Sequence, residues 1–356
     1  MQRHGARKVR VMLPALAAIA AGAPGALTVA APDLATPPAV GLQTQVAFSD
    51  YSPLSASTEI MRRLLSPLAA AQVLRSLEHS SERLSDQSID LAAERFVLYV
   101  PAHAPTDGYG LLAFVSPWDE AQLPPGWALV LDRYGVIFVS AARSGNSADV
   151  LGRREPLALL AAYNVMQRYP VDPQRVYAGG FSGGSRIALR LALAYPDLFR
   201  GALLNAGSDP LDAGPPTPPA RALLERFEES TRIVFVTGEH DALHLSMDRA
   251  SLASMREWCV FDTSAEITPG AGHELASPAA LSRALSALAA HVRPDAAKLA
   301  ACRAALDRRL SARLAQVQSL IDAGKRSEAR RRIEELDRTF GGLAAPQSVA
   351  LAAALE

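Results

Sequence analysis

The stretch Arg175–Leu191 reads RVYAGGFSGGSRIALRL and joins a short β-rich run to a helical one. Its centre, Gly180–Gly184, fits the pattern G-x-S-x-G, in which a serine occupies a tight turn between a strand and a helix. Such a turn lifts the hydroxyl of Ser182 above the sheet, and it requires flanking glycines because side chains there would collide. No Gly-Lys-Ser/Thr sequence, the mark of a phosphate-binding loop, occurs in the chain. The stretch therefore predicts a nucleophilic serine at the edge of a sheet.

The surrounding sequence alternates short apolar runs with helical ones, which is typical of an α/β fold whose mostly parallel sheet is covered on both faces. The runs predicted as strands are Phe96–Val100, Leu111–Val115, Val136–Ala142, Arg175–Ala178, Gly201–Ala206, Arg232–Thr237 and Ala265–Thr268. Helices are predicted at Glu155–Tyr169 and Ser185–Tyr195. In such sheets the ligand site lies at the carboxyl ends of the strands, and the remaining functional residues are therefore expected there.

A serine hydroxyl is a weak nucleophile and needs a base, usually a histidine oriented by a carboxylate. We predict His273 as the base, because it lies in TPGAGHE, just past the last predicted strand, on a loop whose glycines let the ring reach inward. Three other histidines follow Ser182. His291 lies on a helical run and is interpreted as a surface or packing residue, whereas His240 and His244 crowd the predicted acid and could shape the cleft.

The acid is predicted from the strand RIVFVT, which runs into GEHD. Asp241 then lies just beyond the carboxyl end of that strand, with the usual spacing for the acid that orients the base. Glu239, two residues earlier, and Asp209, after the preceding strand, are alternatives at the same edge of the sheet.

Several segments resemble the α/β-hydrolase superfamily: RVYAGGFSGGSRIALRLALAYPDLFRGALLNAG, FVTGEHD and PGAGHE. Together with RFVLYVPAHAP and YPVDPQRVYAGGFSGG, they are most similar to its secreted polyhydroxybutyrate-depolymerase-like and feruloyl-esterase-like branch. The resemblance covers roughly Glu94–Val292. It implies an α/β-hydrolase fold and a serine hydrolase that cleaves small-molecule or polymeric carboxylic esters through an acyl-enzyme intermediate. No cofactor and no metal are expected.

The resemblance also implies an oxyanion hole, and here the chain departs from the family. After the second core strand the family usually has His-Gly and then a residue whose backbone N–H completes the hole; this chain has Ser116-Pro117 in FVSPWDE. Because proline has no N–H, Trp118 is predicted as the second donor beside Gly183. If Pro117 held the donor position instead, the lost donor would cost roughly 3–4 kcal/mol, and Asp119 would add negative charge nearby.

Other functions remain open at this point. A serine peptidase of the same fold would use the same residues, and a catalytically silent binding or scaffold protein is suggested by the Ser-Pro sequence and the helical appendages. Only a Pro-rich loop and one helix separate Ala206 from Arg232, too little for a large lid. An open cleft would suit bulky or polymeric substrates, with Trp118 and Trp258 either lining it or packed in the core.

Four regions are predicted along the chain. Residues 1–31 have the basic start and interrupted apolar run of a secretory signal peptide, so we expect a secreted or periplasmic protein with no stable membrane span after cleavage; an uncleaved anchor and a cytosolic tail are the alternatives. Residues 32–87 are interpreted as a linker and N-terminal helices, 88–293 as the α/β-hydrolase domain and 294–356 as a helical hairpin. LIDAGKRSEARRRIEEL looks like one tetratricopeptide-type unit, so the hairpin either packs on the main domain or binds a protein partner.

Charge and cysteine content bound the remaining possibilities. Lys+Arg 36 balances Asp+Glu 36, and no basic cluster is interleaved with aromatic residues, which argues against a nucleic-acid partner. Cys259 and Cys302 lie 43 residues apart and are either a disulfide, as an oxidising compartment permits, or two buried thiols. No Cys/His spacing resembles a metal site.

Overall fold

The computed structural model describes residues 39–80, 83–211 and 214–355. The predicted signal peptide, 1–31, therefore lies outside the described residues. No helix within the described ranges has both the length and the apolar character that crossing a membrane requires.

Among the described residues, eight strands form one sheet in the order β1-β2-β4-β3-β5-β6-β7-β8. In chain order they are β1 Gly41–Val46, β2 Phe96–Val100, β3 Tyr109–Val115, β4 Val136–Ala141, β5 Val171–Phe181, β6 Gly201–Asn205, β7 Arg232–Gly238 and β8 Thr263–Thr268. The pairings of β2 with β1 and with β4 are antiparallel, and all other pairings are parallel. The predicted mostly parallel sheet and the α/β-hydrolase fold are confirmed.

Helices cover both faces of this sheet. They are α1 Ser57–Leu64, α2 Pro67–His79, α3 Trp127–Tyr134, α4 Glu155–Arg168, α5 Gly183–Ala194, α6 Arg221–Ser230, α7 Ala242–Glu257, α8 Pro278–Ala289, α9 Ala296–Asp322, α10 Arg326–Phe340 and α11 Gln347–Ala353. Successive residues of β3 alternate between two apolar clusters: Leu111 joins the one with α4 and α5, and Leu112 joins the one with α3 and α8. This alternation is the period of two that a strand buried on both faces imposes.

The segment interpreted as a linker contains a strand that the sequence analysis did not predict. Gly41–Val46 is β1, which pairs antiparallel with β2 at the edge of the sheet, with Leu42 opposite Tyr99. Its sequence, GLQTQV, carries little apolar signal because an edge strand contacts one neighbour only and stays partly exposed. The sheet therefore begins well before residue 88.

The C-terminal helices pack on the main domain rather than standing apart from it. Helices α9 and α10 form the predicted hairpin around Gly324, whose φ of +69° suits glycine at a helix end. Leu310 of α9 and Phe340 of α10 belong to the same apolar cluster as α4 and α5. A protein partner for the outer face of the hairpin stays a prediction.

The sequence left open whether the two cysteines form a disulfide or remain two buried thiols. Cys259, which follows α7, and Cys302 of α9 form a disulfide. The bond ties the hairpin to the residues just after α7, the helix whose N-cap is the predicted acid, Asp241. Trp258 is fully buried beside it and packs on Phe340 at a ring distance of 5.6 Å. Trp258 is thus part of the core, and the hypothesis that it lines the cleft was wrong.

Candidate active site

Ser182 occupies the sharp turn between β5 and α5. Its φ of +53° and ψ of −119° lie in a region that non-glycine residues rarely adopt. A side chain on Gly180 would overlap the backbone of Gly184, and a side chain on Gly184 would overlap the carbonyl of Val115 at the end of β3. The glycines therefore allow the strand, the helix and the neighbouring strand to meet closely enough to raise the serine above the sheet.

The three residues predicted as nucleophile, base and acid lie in one chain of hydrogen bonds. Nε2 of His273 lies 3.0 Å from Oγ of Ser182, and Nδ1 of His273 lies 2.7 Å from Oδ2 of Asp241. They come from three loops: after β5, after β7 and after β8. This arrangement can move a proton from the serine hydroxyl to the imidazole while the carboxylate holds the ring.

The loop that carries His273 is fastened to the end of β7. The backbone N–H of His240 donates to the carbonyl of Ala271 at 2.8 Å, and the N–H of Glu239 donates to the carbonyl of Thr268 at 2.9 Å. A side chain on Gly238 would overlap the carbonyls of this loop. Close contact between the two loops therefore brings the imidazole of His273 to Asp241, which follows β7.

The alternative acids do not reach the base. Asp209 forms an ion pair with Arg186, at 3.3 Å. Glu239 accepts the backbone N–H of Gly270 at 2.9 Å. Neither carboxylate bonds to His273, so Asp241 alone of the three candidates can orient it.

The environment of Asp241 favours its ionised form. The residue is only 6% exposed, and burial opposes its charge, but hydrogen bonds from His244 and His273 outweigh that effect and hold the pKa of Asp241 below its ordinary value. The side chain of His273, by contrast, is 41% exposed. The carboxylate is thus sheltered from water, whereas the imidazole remains open to an incoming molecule.

A second imidazole contacts the same carboxylate. Nδ1 of His244 lies 2.8 Å and 2.9 Å from the two oxygens of Asp241, and its ring stacks on that of His273 at 4.2 Å with an interplanar angle of 16°. The sequence analysis placed His244 near the acid but gave it no definite role. The signal was its position three residues after Asp241, one helical turn along, which brings the two side chains to the same face.

Asp241, His244 and His273 each offer a possible metal-ligating atom, and these atoms lie within 4.8 Å of one another. A metal bound by both Nδ1 atoms would have to lie near both ring planes, about 2.0–2.1 Å from each nitrogen. Both Nδ1 atoms instead lie within hydrogen-bond distance of Oδ2 of Asp241, at 2.9 Å for His244 and 2.7 Å for His273, so both nitrogens donate to the carboxylate rather than offering a lone pair. This geometry fits a shared hydrogen-bonded carboxylate better than a chelated ion.

The predicted oxyanion loop lies against the loop after β4. The carbonyl of Pro117 accepts the N–H of Asn146 at 3.0 Å, and the carboxylate of Asp119 accepts the N–H of Gly145 at 3.0 Å. The negative charge of Asp119 is therefore engaged in holding the loop. Within the described ranges, neither the N–H of Gly183 nor that of Trp118 donates to a protein acceptor.

Two further residues near the site were missed by the sequence analysis. Arg154 is buried and donates to the carbonyls of Ser116 and Ser144, at 3.0 Å each, so it joins the two loops. The amide of Asn146 lies against Gly183, where a side chain on the glycine would overlap it. Asn146 follows the carboxyl end of β4, and the rule that ligand sites lie at strand ends would have drawn attention to it.

Comparison with known proteins finds only partial or weak similarities. No protein-family profile matches the chain. One curated protein, the poly(3-hydroxybutyrate) depolymerase of Ralstonia pickettii, is 29% identical over 98 residues. That match covers 24% of this chain and 20% of the depolymerase. The chain therefore matches about a fifth of that protein's length.

Solved structures resemble the chain weakly. A poly(3-hydroxybutyrate) depolymerase from Bordetella parapertussis is 18% identical, with 59% of this chain and 88% of that chain covered and a TM-score of 0.40. A ferulic acid esterase is 16% identical, with 54% and 88% covered and a TM-score of 0.40. The S-formylglutathione hydrolase of Staphylococcus aureus is 12% identical, with 55% and 91% covered and a TM-score of 0.42. The fold assignment rests instead on the strand order and on the turn at Ser182.

Proposed function

We propose that this protein is a serine hydrolase that cleaves carboxylic esters through an acyl-enzyme intermediate. The observation that carries the proposal is the continuous contact from Asp241 through His273 to Ser182, at 2.7 Å and 3.0 Å. Both distances are within hydrogen-bond reach without any rearrangement. The rare backbone conformation of Ser182 supports the same role, because such conformations persist where function requires them.

In the proposed reaction, Oγ of Ser182 attacks the ester carbonyl while Nε2 of His273 takes its proton. The carboxylate of Asp241 stabilises the imidazolium that forms. His273 then gives the proton to the leaving alkoxide, and the C–O bond of the ester breaks to leave an acyl-serine. A water molecule, deprotonated by the same imidazole, attacks the acyl group; the acid is released and the proton returns to Ser182.

The negative oxygen of each tetrahedral intermediate needs donors, and we assign this role to the backbone N–H groups of Gly183 and Trp118. Both lie beside the turn and have no protein acceptor among the described residues. Gly183 is also the first residue of α5, where the helix dipole favours negative charge. Hydrogen bonds made by Arg154, Asp119 and Asn146 fix the Trp118 loop. They involve neither the N–H of Gly183 nor that of Trp118.

The proposed substrates are bulky or polymeric esters. The base is 41% exposed, and α6 is the only helix among the described residues between β6 and β7. The partial match to a poly(3-hydroxybutyrate) depolymerase agrees with such a substrate. Trp118, half-buried beside Phe181, offers an apolar surface next to the serine.

Export from the cytoplasm is part of the proposal. The basic and interrupted apolar start of the sequence supports it, and the Cys259–Cys302 disulfide is the kind of bond that persists in oxidising compartments. The N-terminal sequence of protein recovered from the periplasm or medium tests this: a start near residue 32 is expected, and an intact Met1 would contradict it.

A fluorophosphonate probe tests the central claim. The purified protein should be labelled on Ser182, and Ser182→Ala should abolish labelling without changing the thermal unfolding temperature. Pre-steady-state hydrolysis of a nitrophenyl ester should show a burst of nitrophenol equal to the enzyme concentration, because the acyl-enzyme accumulates. Folded protein that is not labelled would instead favour a silent binding protein.

A substrate panel separates an esterase from a peptidase of the same fold. Nitrophenyl esters of differing acyl length, hydroxycinnamate esters and polyester films are compared with peptide anilides. We expect turnover of the esters and none of the anilides. Faster anilide cleavage would overturn the ester assignment while leaving the serine mechanism intact.

A further inference from the structure

Asp241 accepts hydrogen bonds from two imidazoles, and only one of them contacts Ser182. Nδ1 of His244 lies 2.8 Å from Oδ1 and 2.9 Å from Oδ2, whereas Nδ1 of His273 lies 2.7 Å from Oδ2. We infer that His244 is a positioning residue that holds both the acid and the base of the proposed triad in place. This inference rests on the proposed function.

His244 fixes the carboxylate of Asp241 relative to α7. Asp241 is the N-cap of α7, and its Oδ1 also accepts the backbone N–H of His244 at 3.3 Å. Two donors from one residue in the first turn therefore fix the carboxylate relative to the helix. With Oδ1 held by the helix, Oδ2 is left facing His273. Without the side chain of His244, its backbone N–H would be the one donor from α7 left to resist rotation of the carboxylate.

The shared carboxylate also sets which nitrogen of each imidazole carries the hydrogen. An ionised carboxylate only accepts hydrogen bonds, so each imidazole must carry its hydrogen on Nδ1 when neutral. For His273 this leaves Nε2 unprotonated and facing Ser182, which is the form a base requires. For His244 it likewise places the hydrogen on Nδ1, so both imidazoles donate to the one carboxylate.

His244 also restricts the orientation of the ring of His273. The ring of His273 stacks on that of His244 at 4.2 Å and 16° and on that of Phe181 at 4.9 Å and 30°. His273 is otherwise 41% exposed and comes from a loop, so these stacked rings restrict its tilt. The contact with His244 therefore keeps Nε2 directed at the serine.

Substitutions at His244 test this role. His244→Ala removes the donor and the stacked ring, and we expect kcat for a nitrophenyl ester to fall about 10- to 100-fold, as a small misplacement of a catalytic group does, with KM changed less than about twofold. His244→Asn keeps a nitrogen donor at the position of Nδ1, because both branch from the γ carbon, and it should recover most of the lost kcat. His103→Ala is the matched control and should behave as wild type, because His103 is exposed and follows β2, which runs antiparallel to β4 and therefore ends at the opposite edge of the sheet.

The outcomes separate this inference from the proposed function. If the wild type is labelled at Ser182 and His244→Ala keeps wild-type kcat, the positioning role is overturned and the serine mechanism stands. If His244→Ala loses activity and His244→Asn recovers none of it, donation from Nδ1 is overturned. A wild type that is not labelled overturns both proposals.

A spectroscopic readout does not depend on turnover or on whether His244→Ala folds. The ¹⁵N shifts of the imidazole nitrogens of the wild type report which nitrogen of His244 carries the hydrogen. We expect the Nδ1–H form at neutral pH, and the assigned resonances should be missing in His244→Asn. An Nε2–H form of His244 would overturn the inference.

Discussion

Oδ2 of Asp241 lies 2.7 Å from Nδ1 of His273, although the two residues are 32 positions apart in the chain. They meet because β7 and β8 are parallel neighbours, so the loops that follow them share one edge of the sheet. The hydrogen bonds between these loops then set the distance. The proposed mechanism depends on this contact, because the carboxylate of Asp241 orients the imidazole that takes the proton from Ser182.

Replacing Asp241 by Asn should lower kcat roughly 10³- to 10⁴-fold and leave KM nearly unchanged, because an amide can donate to His273 and stabilise the wrong tautomer. Steady-state kinetics on a nitrophenyl ester measure this. Asp209→Asn, at the rejected alternative acid, is the matched control and should retain activity. The reverse pattern would move the role of acid to Asp209.

Replacing Gly184 by Ala should destabilise the fold by about 1–3 kcal/mol or more, because its Cβ would overlap the carbonyl of Val115, a backbone atom that cannot move aside. Thermal or urea unfolding measures the loss. Gly272→Ala is the matched control, since the nearest atom to its Cβ would be 3.9 Å away. Equal stability of the two variants would show that the turn is looser than described.

Removing the disulfide with Cys302→Ser should lower the free energy of unfolding by about 4 kcal/mol, because the bond closes a loop of 43 residues in the unfolded chain. Urea unfolding with and without reductant measures this: wild type with reductant should match the variant without it. A wild type insensitive to reductant after unfolding would mean that the bond adds no stability.

Glu59 makes stability depend on acid pH. Burial opposes its charge, but hydrogen bonds from Arg62 and Arg63 outweigh it and lower the pKa of Glu59 to about 2. Its contribution is therefore complete above pH about 4.5, the ordinary value, and is lost as pH falls toward 2, because the unfolded chain takes up the proton first. Glu59→Gln should flatten the fall in unfolding temperature across this window. Glu78→Gln, at an exposed glutamate, should not.

Much of the fold was predictable because its signals are local. Apolar runs bounded by turn residues located seven of the eight strands, and glycines around Ser182 marked the turn. The strand β1 was not predicted, since Gln43 and Thr44 give an edge strand no apolar pattern to detect. Its pairing with β2 and the packing of Val46 against the core hold it at the edge of the sheet.

In the candidate site too, some residues were predictable from local sequence and others were not. Ser182 was predicted from the G-x-S-x-G turn, and Asp241 and His273 were predicted from their positions just after strands. The second imidazole on Asp241, the burial of Trp258 and the loop contacts of Arg154 depend on distances between separate elements. No local pattern encodes those distances.

The sequence by itself determined the succession of most strands and helices along the chain, the turn at Ser182 and the residue types that follow each strand. These features are local, because backbone preferences and apolar periodicity act over a few neighbouring residues. Only the tertiary structure decided which acid reaches His273, that His244 shares it, and that Cys259 bonds to Cys302. These outcomes follow from how the sheet, its helices and the C-terminal hairpin pack. Packing is fixed by the summed contacts of residues far apart in the chain.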